Sequence, residues 1–169
     1  MREKRIITAA LTGSIHTPSM SPYLPITPEQ LIEEAVRAYE AGAAVAHVHV
    51  RNPETGLPCA DQELFRTVAA GVKKRCDMVV CCTTGGRLGE LVENRVRVVA
   101  SLSPELATLN AGSLNFALFH IADNYTEWKY DWEQNYLQAS EDFIFPNTFE
   151  YFFLFVELLS FLNKRSVSF

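Results

Sequence analysis

Two histidines separated by one residue, His47 and His49, are the side chains in this sequence best suited to metal chemistry. They lie near the end of an apolar run, Ala43–Val50, whose composition predicts a β-strand. Residues i and i+2 of a strand share one face, and two imidazoles on one face can bind the same Zn²⁺. The alternative is a pair of polar histidines hydrogen-bonded to their neighbours, because the spacing alone identifies no third ligand.

Arg51 follows the histidine pair directly. Its guanidinium can bind an anionic substrate, or a carboxylate that lies behind the site. Further along, Thr83-Thr84-Gly85-Gly86 ends a second apolar run. Hydroxyl and glycine N–H groups at such a turn can hold a carboxylate or a phosphate. A simple strand-to-helix turn has the same composition, so this motif indicates an anion site only in combination with its neighbours.

Alternating strand-like and helix-like segments must position these residues. The first predicted helix begins at Thr27-Pro28-Glu29, where Thr27 can cap and Pro28 suits the first turn, and it stops at Ala41-Gly42. The other predicted elements are strands at 5–11, 43–50, 78–83 and 106–109, and helices at 61–74 and 88–101. This alternation predicts an α/β fold with a parallel sheet and right-handed crossovers. The spacing suits either a doubly wound sheet or half of a TIM (β/α)8 barrel.

Polar or glycine-rich residues follow each of the four predicted strands. Thr12–Thr17 follows the first strand, and the two histidines end the second. The Thr-Thr-Gly-Gly motif ends the third strand, and Asn110–Ser113 follows the fourth. The carboxyl ends of parallel strands meet at one edge, where α/β enzymes place their active sites. The four clusters together therefore predict one active-site rim.

Composition excludes several classes of protein. The chain has 169 residues, of which 48% are hydrophobic, and a net charge of -5, so it is expected to bury a core and not to bind nucleic acid. Four cysteines, two of them adjacent, do not form a disulfide scaffold and indicate a cytoplasmic location.

The apolar stretch Phe149–Leu162 is too short for a membrane span and contains two glutamates. A closed barrel needs about 250 residues, so only its N-terminal half is expected here.

The composition changes after the fourth predicted strand. Residues 114–148 are predicted to be irregular, with a helix at about 126–140, and eight of the eleven Phe lie at or after position 143. We therefore divide the chain into a partial barrel domain, 1–148, and an atypical Phe-rich tail, 149–169. Several residues are interpreted as packing only, namely Cys81, Cys82, His120 and the Trp and Tyr residues of 125–136.

Four segments resemble the β-keto acid cleavage enzyme family, whose best-known activity is 3-keto-5-aminohexanoate cleavage. The segments are ITAALTGSIHTPSMSPYLPITPEQ (7–30), EAGAAVAHVHVRNPETGLP (40–58), TTGG (83–86) and ELATLNAGSLNF (105–116). The combination of HxHxR, TGG and LNxGxxNF is specific to that family. The resemblance covers about residues 6–148 and corresponds to the N-terminal half of the family barrel.

The resemblance implies a zinc-dependent (β/α)8 barrel that assembles as a homo-oligomer. Members convert a β-keto acid and acetyl-CoA into acetoacetate and a new CoA ester. In this sequence His47 and His49 match the two zinc-binding histidines, and Thr83 and Ser113 match hydroxyl positions that contact the substrate. The backbone of Gly85-Gly86 would help to position the substrate carboxylate.

This sequence differs from the family pattern at several positions, and each difference predicts a change in substrate or activity. The acidic residue that binds the substrate amino group falls near Ile15, where this chain has no carboxylate, so a different β-keto acid is expected. The family's third zinc ligand is a glutamate in the later strands, and its catalytic arginine and aspartate also lie beyond this chain. Residues 149–169 match nothing recognised in the family, which indicates a frameshift, a truncation or a mis-predicted exon, and we expect weak zinc binding and little or no activity.

Two other functions remain open. The chain can be a non-catalytic, truncated half barrel that either binds a partner chain or is a remnant that binds nothing. It can also be a doubly wound protein that binds a phosphate or a nucleotide through Thr83–Gly86, although no GxGxxG or Walker pattern is present.

Overall fold

The computed structural model describes residues 4–165, which form a parallel α/β sheet with helices packed against it. The strands are β1 Thr8–Ala10, β2 Val45–Val48, β3 Val50–Arg51, β4 Pro58–Cys59, β5 Val79–Cys82, β6 Leu106–Ala107, β7 Leu114–Asn115 and β8 Ile144–Phe145. The α-helices are α1 Pro28–Glu40, α2 Gln62–Arg75, α3 Val92–Leu102, α4 Trp132–Gln138 and α5 Phe149–Arg165. The predicted fold class, α/β with a parallel sheet, is confirmed.

The main sheet has the strand order β1-β2-β5-β6, and every neighbouring pair is parallel. The strands therefore lie side by side in the order in which they occur in the sequence. A doubly wound sheet reverses its direction of winding at a switch point, and this four-stranded sheet contains no such reversal. The sequential order is that of a barrel wall.

The observed strands are shorter than the predicted ones. The run Ala43–Val50 is interrupted at His49, and β3 then pairs antiparallel with β4, with Val50 opposite Cys59. Residues 52–57 are thus the tip of a small hairpin whose second strand begins at Pro58.

Helix α1 begins as its sequence predicts. The Thr27 hydroxyl accepts a hydrogen bond from the Gln30 N–H at 3.3 Å, and the Gln30 side chain accepts one from the Thr27 N–H at 3.0 Å. This reciprocal capping box satisfies two of the N–H groups left free at a helix start. The buried face of α1, Leu31 and Ala35, then packs into the core.

The core lies between one face of the sheet and the helices α1, α2 and α3. Its fully buried members include Leu31, Ala46, Val48, Phe65, Val68, Val72, Met78, Cys82 and Val98. Alternation along β2 directs Ala46 and Val48 into this core and leaves His47 on the opposite face of the sheet. Cys82 packs in the core, as its apolar strand predicts.

Residues 114–148 form an excursion that returns to the carboxyl ends of the strands. Strands β7 and β8 pair antiparallel, with Leu114 opposite Phe145. The predicted helix at 126–140 is observed as the shorter α4, flanked by 3-10 turns at Phe119–Asn124 and Ala139–Glu141. Helix α5 packs on α3 through the buried Phe155, whereas Phe149 is 82% exposed. Within residues 4–165, no helix combines the length and the apolar character needed to cross a bilayer.

Candidate active site

An open cavity of about 360 Å³ lies at the carboxyl ends of the four parallel strands. The residues that follow each strand contribute to its lining: 12–16 after β1, His47 and His49 at β2, Thr83, Gly85 and Gly86 after β5, and Thr108 and Asn110 after β6. The polar clusters recognised in the sequence therefore converge on one cavity. The excursion supplies the remaining wall with Phe116, Tyr136 and Phe145.

His47 and His49 lie together in this cavity. Their Nε2 atoms are 3.1 Å apart, and the ring planes make an angle of 80°. Burial lowers the pKa of both imidazoles, and the nearby His47 and Arg51 lower the pKa of His49 further, to about 3. Both rings are consequently neutral at neutral pH, which is the form that binds a metal.

The distance between the two nitrogens provides a test of whether zinc fits. Two nitrogens that share one tetrahedral zinc at about 2.0–2.1 Å lie roughly 3.3 Å from each other. The 3.1 Å separation of His47 and His49 is close to that distance, so the pair fits two adjacent corners of a zinc site. Within residues 4–165 no cluster of three or more His, Cys, Asp or Glu side chains surrounds the pair. His47 and His49 would therefore supply two protein ligands to a zinc ion.

The Thr83–Gly86 turn lies beside the histidines. The Thr83 hydroxyl accepts a hydrogen bond from the Gly85 N–H at 2.9 Å. The Thr84 hydroxyl donates to the Thr108 carbonyl at 2.7 Å, which links the turn to the residue after β6. A Cβ at Gly85 would lie 3.5 Å from the His49 ring and 3.1 Å from the Thr83 hydroxyl, so glycine keeps the space between them open.

Arg95 supports the same turn from behind. This buried α3 side chain donates to the Thr84 carbonyl at 2.7 Å and to the Asn147 side-chain oxygen at 2.6 Å, and it lies 4.1 Å from the Phe145 ring centroid. It thereby fixes the turn relative to the aromatic wall. Sequence reasoning missed Arg95, although its helical spacing from the buried Val92 and Val99 places it on the inward face of α3.

Arg51 and Ser113 lie outside the cavity lining. The Arg51 guanidinium is fully buried and donates to four oxygen atoms of the surrounding loops, and burial lowers its pKa to about 10. The exposed Ser113 hydroxyl accepts from the Asn147 N–H at 3.0 Å. Direct substrate contacts of these two residues stay predictions.

Tyr136 is the second residue that sequence reasoning missed, since the aromatic residues of 125–136 were interpreted as packing. Its hydroxyl donates to the Ser14 carbonyl at 2.9 Å and accepts from the Leu88 N–H at 3.2 Å. On the same helix, the Trp132 indole donates to the Thr55 carbonyl at 2.9 Å. Helix α4 is therefore bonded to three loops around the cavity, and burial raises the pKa of Tyr136.

Comparison with known proteins adds family evidence to this geometry. The family model described as beta-keto acid cleavage enzyme matches residues 4–164. This chain belongs to the beta-keto acid cleavage enzyme family. The match reaches further along the chain than residue 148, where the sequence motifs place its end, and includes most of α5.

Three curated relatives are 38–45% identical to this family member over the residues that align. A 3,5-dioxohexanoate:acetyl-CoA acetone transferase from Paraburkholderia graminis is 45% identical over 88% of this chain and 48% of its own. A 3-dehydrocarnitine:acetyl-CoA trimethylamine transferase from Rhizobium meliloti is 38% identical over 70% of this chain and 46% of its own. A 3-keto-5-aminohexanoate cleavage enzyme from Fusobacterium nucleatum is 40% identical over 69% of this chain and 42% of its own.

The chain spans about half the length of these curated relatives. Among solved structures, the ternary complex of ObcA with a C4-CoA adduct and oxalate matches with a TM-score of 0.44 and 25% identity. That match covers 57% of this chain and 25% of the other.

Proposed function

We propose that this chain carries part of the active site for β-keto acid cleavage, in which a β-keto acid and acetyl-CoA give acetoacetate and a new CoA ester. Family membership supports the reaction type, and the relatives are named for acetyl-CoA-dependent transfer or for β-keto acid cleavage. The observation that carries the proposal is the His47–His49 pair, with its Nε2 atoms 3.1 Å apart in the cavity.

The sheet would be the N-terminal half of a (β/α)8 barrel. Its four parallel strands follow one another in sequence order, and helices cover one face. A barrel of this type has eight such strands and places its active site at their carboxyl ends. The observed cavity lies at that end of the sheet.

His47 and His49 would hold a zinc ion through their Nε2 atoms. When bound, zinc acts as a Lewis acid that polarises the β-keto carbonyl of the substrate. The family resemblance implies that a glutamate of a later strand completes the protein ligands, and residues 4–165 offer no third ligand beside the pair. With two protein ligands, we expect this chain to bind zinc weakly by itself.

The chain's other cavity residues would bind and orient the substrate. The Thr83 hydroxyl already accepts from the Gly85 N–H, so its own hydrogen is free to be donated to a carboxylate oxygen. The neighbouring wall is apolar at Ile15, Leu88 and Phe116, and the cation that also lines the cavity, Arg87, is paired with Glu90 at 3.4 Å. Such a wall favours a β-keto acid whose group beyond the keto carbon is uncharged, because a buried unpaired charge is costly.

Zinc titration of the purified, monodisperse chain, combined with an assay for CoA ester formation, tests this proposal. We expect one weak zinc site per chain, and we expect His47→Ala and His49→Ala to abolish it. The matched control is His120→Ala, which removes an exposed imidazole outside the cavity lining. Equal zinc binding by wild type and both cavity variants would refute the metal assignment.

A second candidate function is binding of a partner chain through the edges of the sheet. In the described sheet β1 pairs only with β2, and β6 pairs only with β5. Ile7 beside β1 is 57% exposed and Leu106 of β6 is 47% exposed. Open apolar edges favour pairing with another strand. A stable dimer by light scattering, combined with no zinc binding, would favour this function over catalysis.

A further inference from the structure

The loop that follows β1 has three of its carbonyl groups bound by side chains from other parts of the fold. Arg51 donates to the Gly13 carbonyl at 2.8 Å and to the His16 carbonyl at 2.8 Å. The Tyr136 hydroxyl donates to the Ser14 carbonyl at 2.9 Å. Gly13 has a φ of +67°, in the left-handed region that favours glycine. All of these loop residues line the cavity.

Binding of these carbonyls determines where the neighbouring N–H groups lie. In a trans peptide the C=O and the following N–H point in opposite directions. The Gly13 carbonyl is directed at Arg51, so the Ser14 N–H lies on the other side of that peptide. The Ser14 carbonyl is directed at Tyr136, so the Ile15 N–H of the same peptide points away from Tyr136. Within residues 4–165, neither N–H donates a hydrogen bond to the protein.

The positive charge of Arg51 also favours an anion near this loop. The guanidinium is fully buried, and its remaining bonds go to the Thr12 hydroxyl at 3.0 Å and the Gly56 carbonyl at 2.9 Å. None of its hydrogen-bond partners among the described residues is a carboxylate. Glu133 is the acidic group whose charge acts on it, and that carboxylate is bound by Ser19 and Tyr130. A buried positive charge therefore lies next to a loop in which the Ser14 and Ile15 N–H groups donate no hydrogen bond within residues 4–165.

We propose that Arg51 and Tyr136 are positioning residues that present the N–H groups of Ser14 and Ile15 to the carboxylate of a cavity ligand. A carboxylate accepts several hydrogen bonds, so both N–H groups can donate to the same carboxylate. The identity of the ligand as a β-keto acid rests on the proposed function, whereas binding can be measured without turnover.

The test is a titration of the ¹⁵N-labelled chain with acetoacetate and, in parallel, with the uncharged acetoacetamide. We expect acetoacetate to move the amide signals of Ser14 and Ile15. Tyr136→Phe removes one hydroxyl and frees the Ser14 carbonyl, so it is expected to weaken acetoacetate binding about fivefold. It should weaken acetoacetamide binding less, because a neutral amide oxygen is a weaker acceptor than a carboxylate oxygen, and general loosening of the fold would not produce this selectivity.

Tyr23→Phe is the matched control, because it removes the same atom from a residue that is 88% exposed. Arg51→Lys keeps the charge and loses the planar fork, so a folded variant is expected to weaken acetoacetate binding as well. If that variant does not fold, Tyr136→Phe decides the question. Unmoved Ser14 and Ile15 signals, or wild-type acetoacetate affinity in Tyr136→Phe, would overturn the proposal. Shifts at both amides in a chain that binds no zinc through His47 and His49 would support it and contradict the proposed function instead.

Discussion

The Nε2 atoms of His47 and His49 lie 3.1 Å apart, with the two rings nearly perpendicular. Two neutral imidazoles can share one hydrogen across this distance, whereas two imidazolium ions would repel each other. The arrangement therefore depends on the low pKa that burial gives to both rings. It also places both nitrogens where a single metal ion could reach them.

Acid should destabilise the metal-free chain through this pair. The folded pKa of His49, about 3, lies below the ordinary value of 6.5, so the unfolded chain binds more protons between these two values. The stabilisation is complete above pH 6.5 and is lost as the pH falls towards 3, by up to about 1.4 kcal/mol per pH unit for each histidine. Urea unfolding at a series of pH values measures this slope. His49→Gln should flatten it and His120→Gln should not; equal slopes in all three proteins would contradict the prediction.

Alanine at Gly86 should destabilise the fold more than alanine at Gly89. Both glycines have left-handed backbones, with φ of +65° and +77°. A Cβ at Gly86 would also lie 3.0 Å from both the Arg95 and the Glu90 side chains, whereas a Cβ at Gly89 meets nothing within 4 Å. We expect Gly89→Ala to cost about 1 kcal/mol and Gly86→Ala roughly 2 kcal/mol. Chemical denaturation measures both, and equal losses would show that the contacts around Gly86 are unimportant.

Removal of the Glu133 carboxylate should detach α4 from the loop after β1. The fully buried carboxylate accepts hydrogen bonds from the Ser19 N–H at 2.8 Å, the Ser19 hydroxyl at 3.0 Å and the Tyr130 N–H at 2.9 Å. Glu133→Ala leaves these donors without a partner and is expected to cost roughly 2–3 kcal/mol in the free energy of unfolding. Glu127→Ala, at an exposed position, is the comparison. Similar stability of the two variants would count against this role.

The two adjacent cysteines should be unreactive in the folded chain. Burial raises the pKa of both thiols, that of Cys82 to about 12, and the thiolate is the reactive form. Iodoacetamide at pH 8 should therefore label the partly exposed Cys76 well before Cys81 or Cys82. Peptide mass analysis after a timed reaction checks the order, with urea-unfolded chain as the control for intrinsic reactivity. Early labelling of Cys82 would mean that the core opens readily.

Local signals in the sequence predicted the features that depend on neighbouring residues. The start of α1 follows from the Thr27-Pro28-Glu29 cap, and the cavity follows from polar residues at successive strand ends. The parallel sheet follows from the alternation of strand and helix patterns. Each prediction rests on patterns of consecutive residues, namely a helix cap, an apolar strand or a polar cluster at a strand end, which recur along the chain.

Features that depend on distant partners were missed. Tyr136 reaches the cavity because its hydroxyl meets Ser14, a residue 122 positions away in the sequence. Arg95 resembles an ordinary helical arginine until the structure brings Asn147 beside it, 52 positions away. The sequence also gave no reason to place Ser113 outside the cavity, because the path of residues 114–148 determines where that hydroxyl lies.

The order of the strands has a consequence for how the site assembles during folding. Each strand of the main sheet pairs with the next one along the chain, so every strand–helix–strand unit closes a short loop and can form early. The contacts that complete the cavity join Ser19 to Glu133 and Ser14 to Tyr136, across 114 and 122 residues. Closing such long loops is slow, so we expect His47 and His49 to reach their folded positions before the aromatic wall of Phe116, Tyr136 and Phe145 packs against the cavity. A chain still in synthesis would then hold His47 and His49 open to solvent until residues 114–148 have emerged.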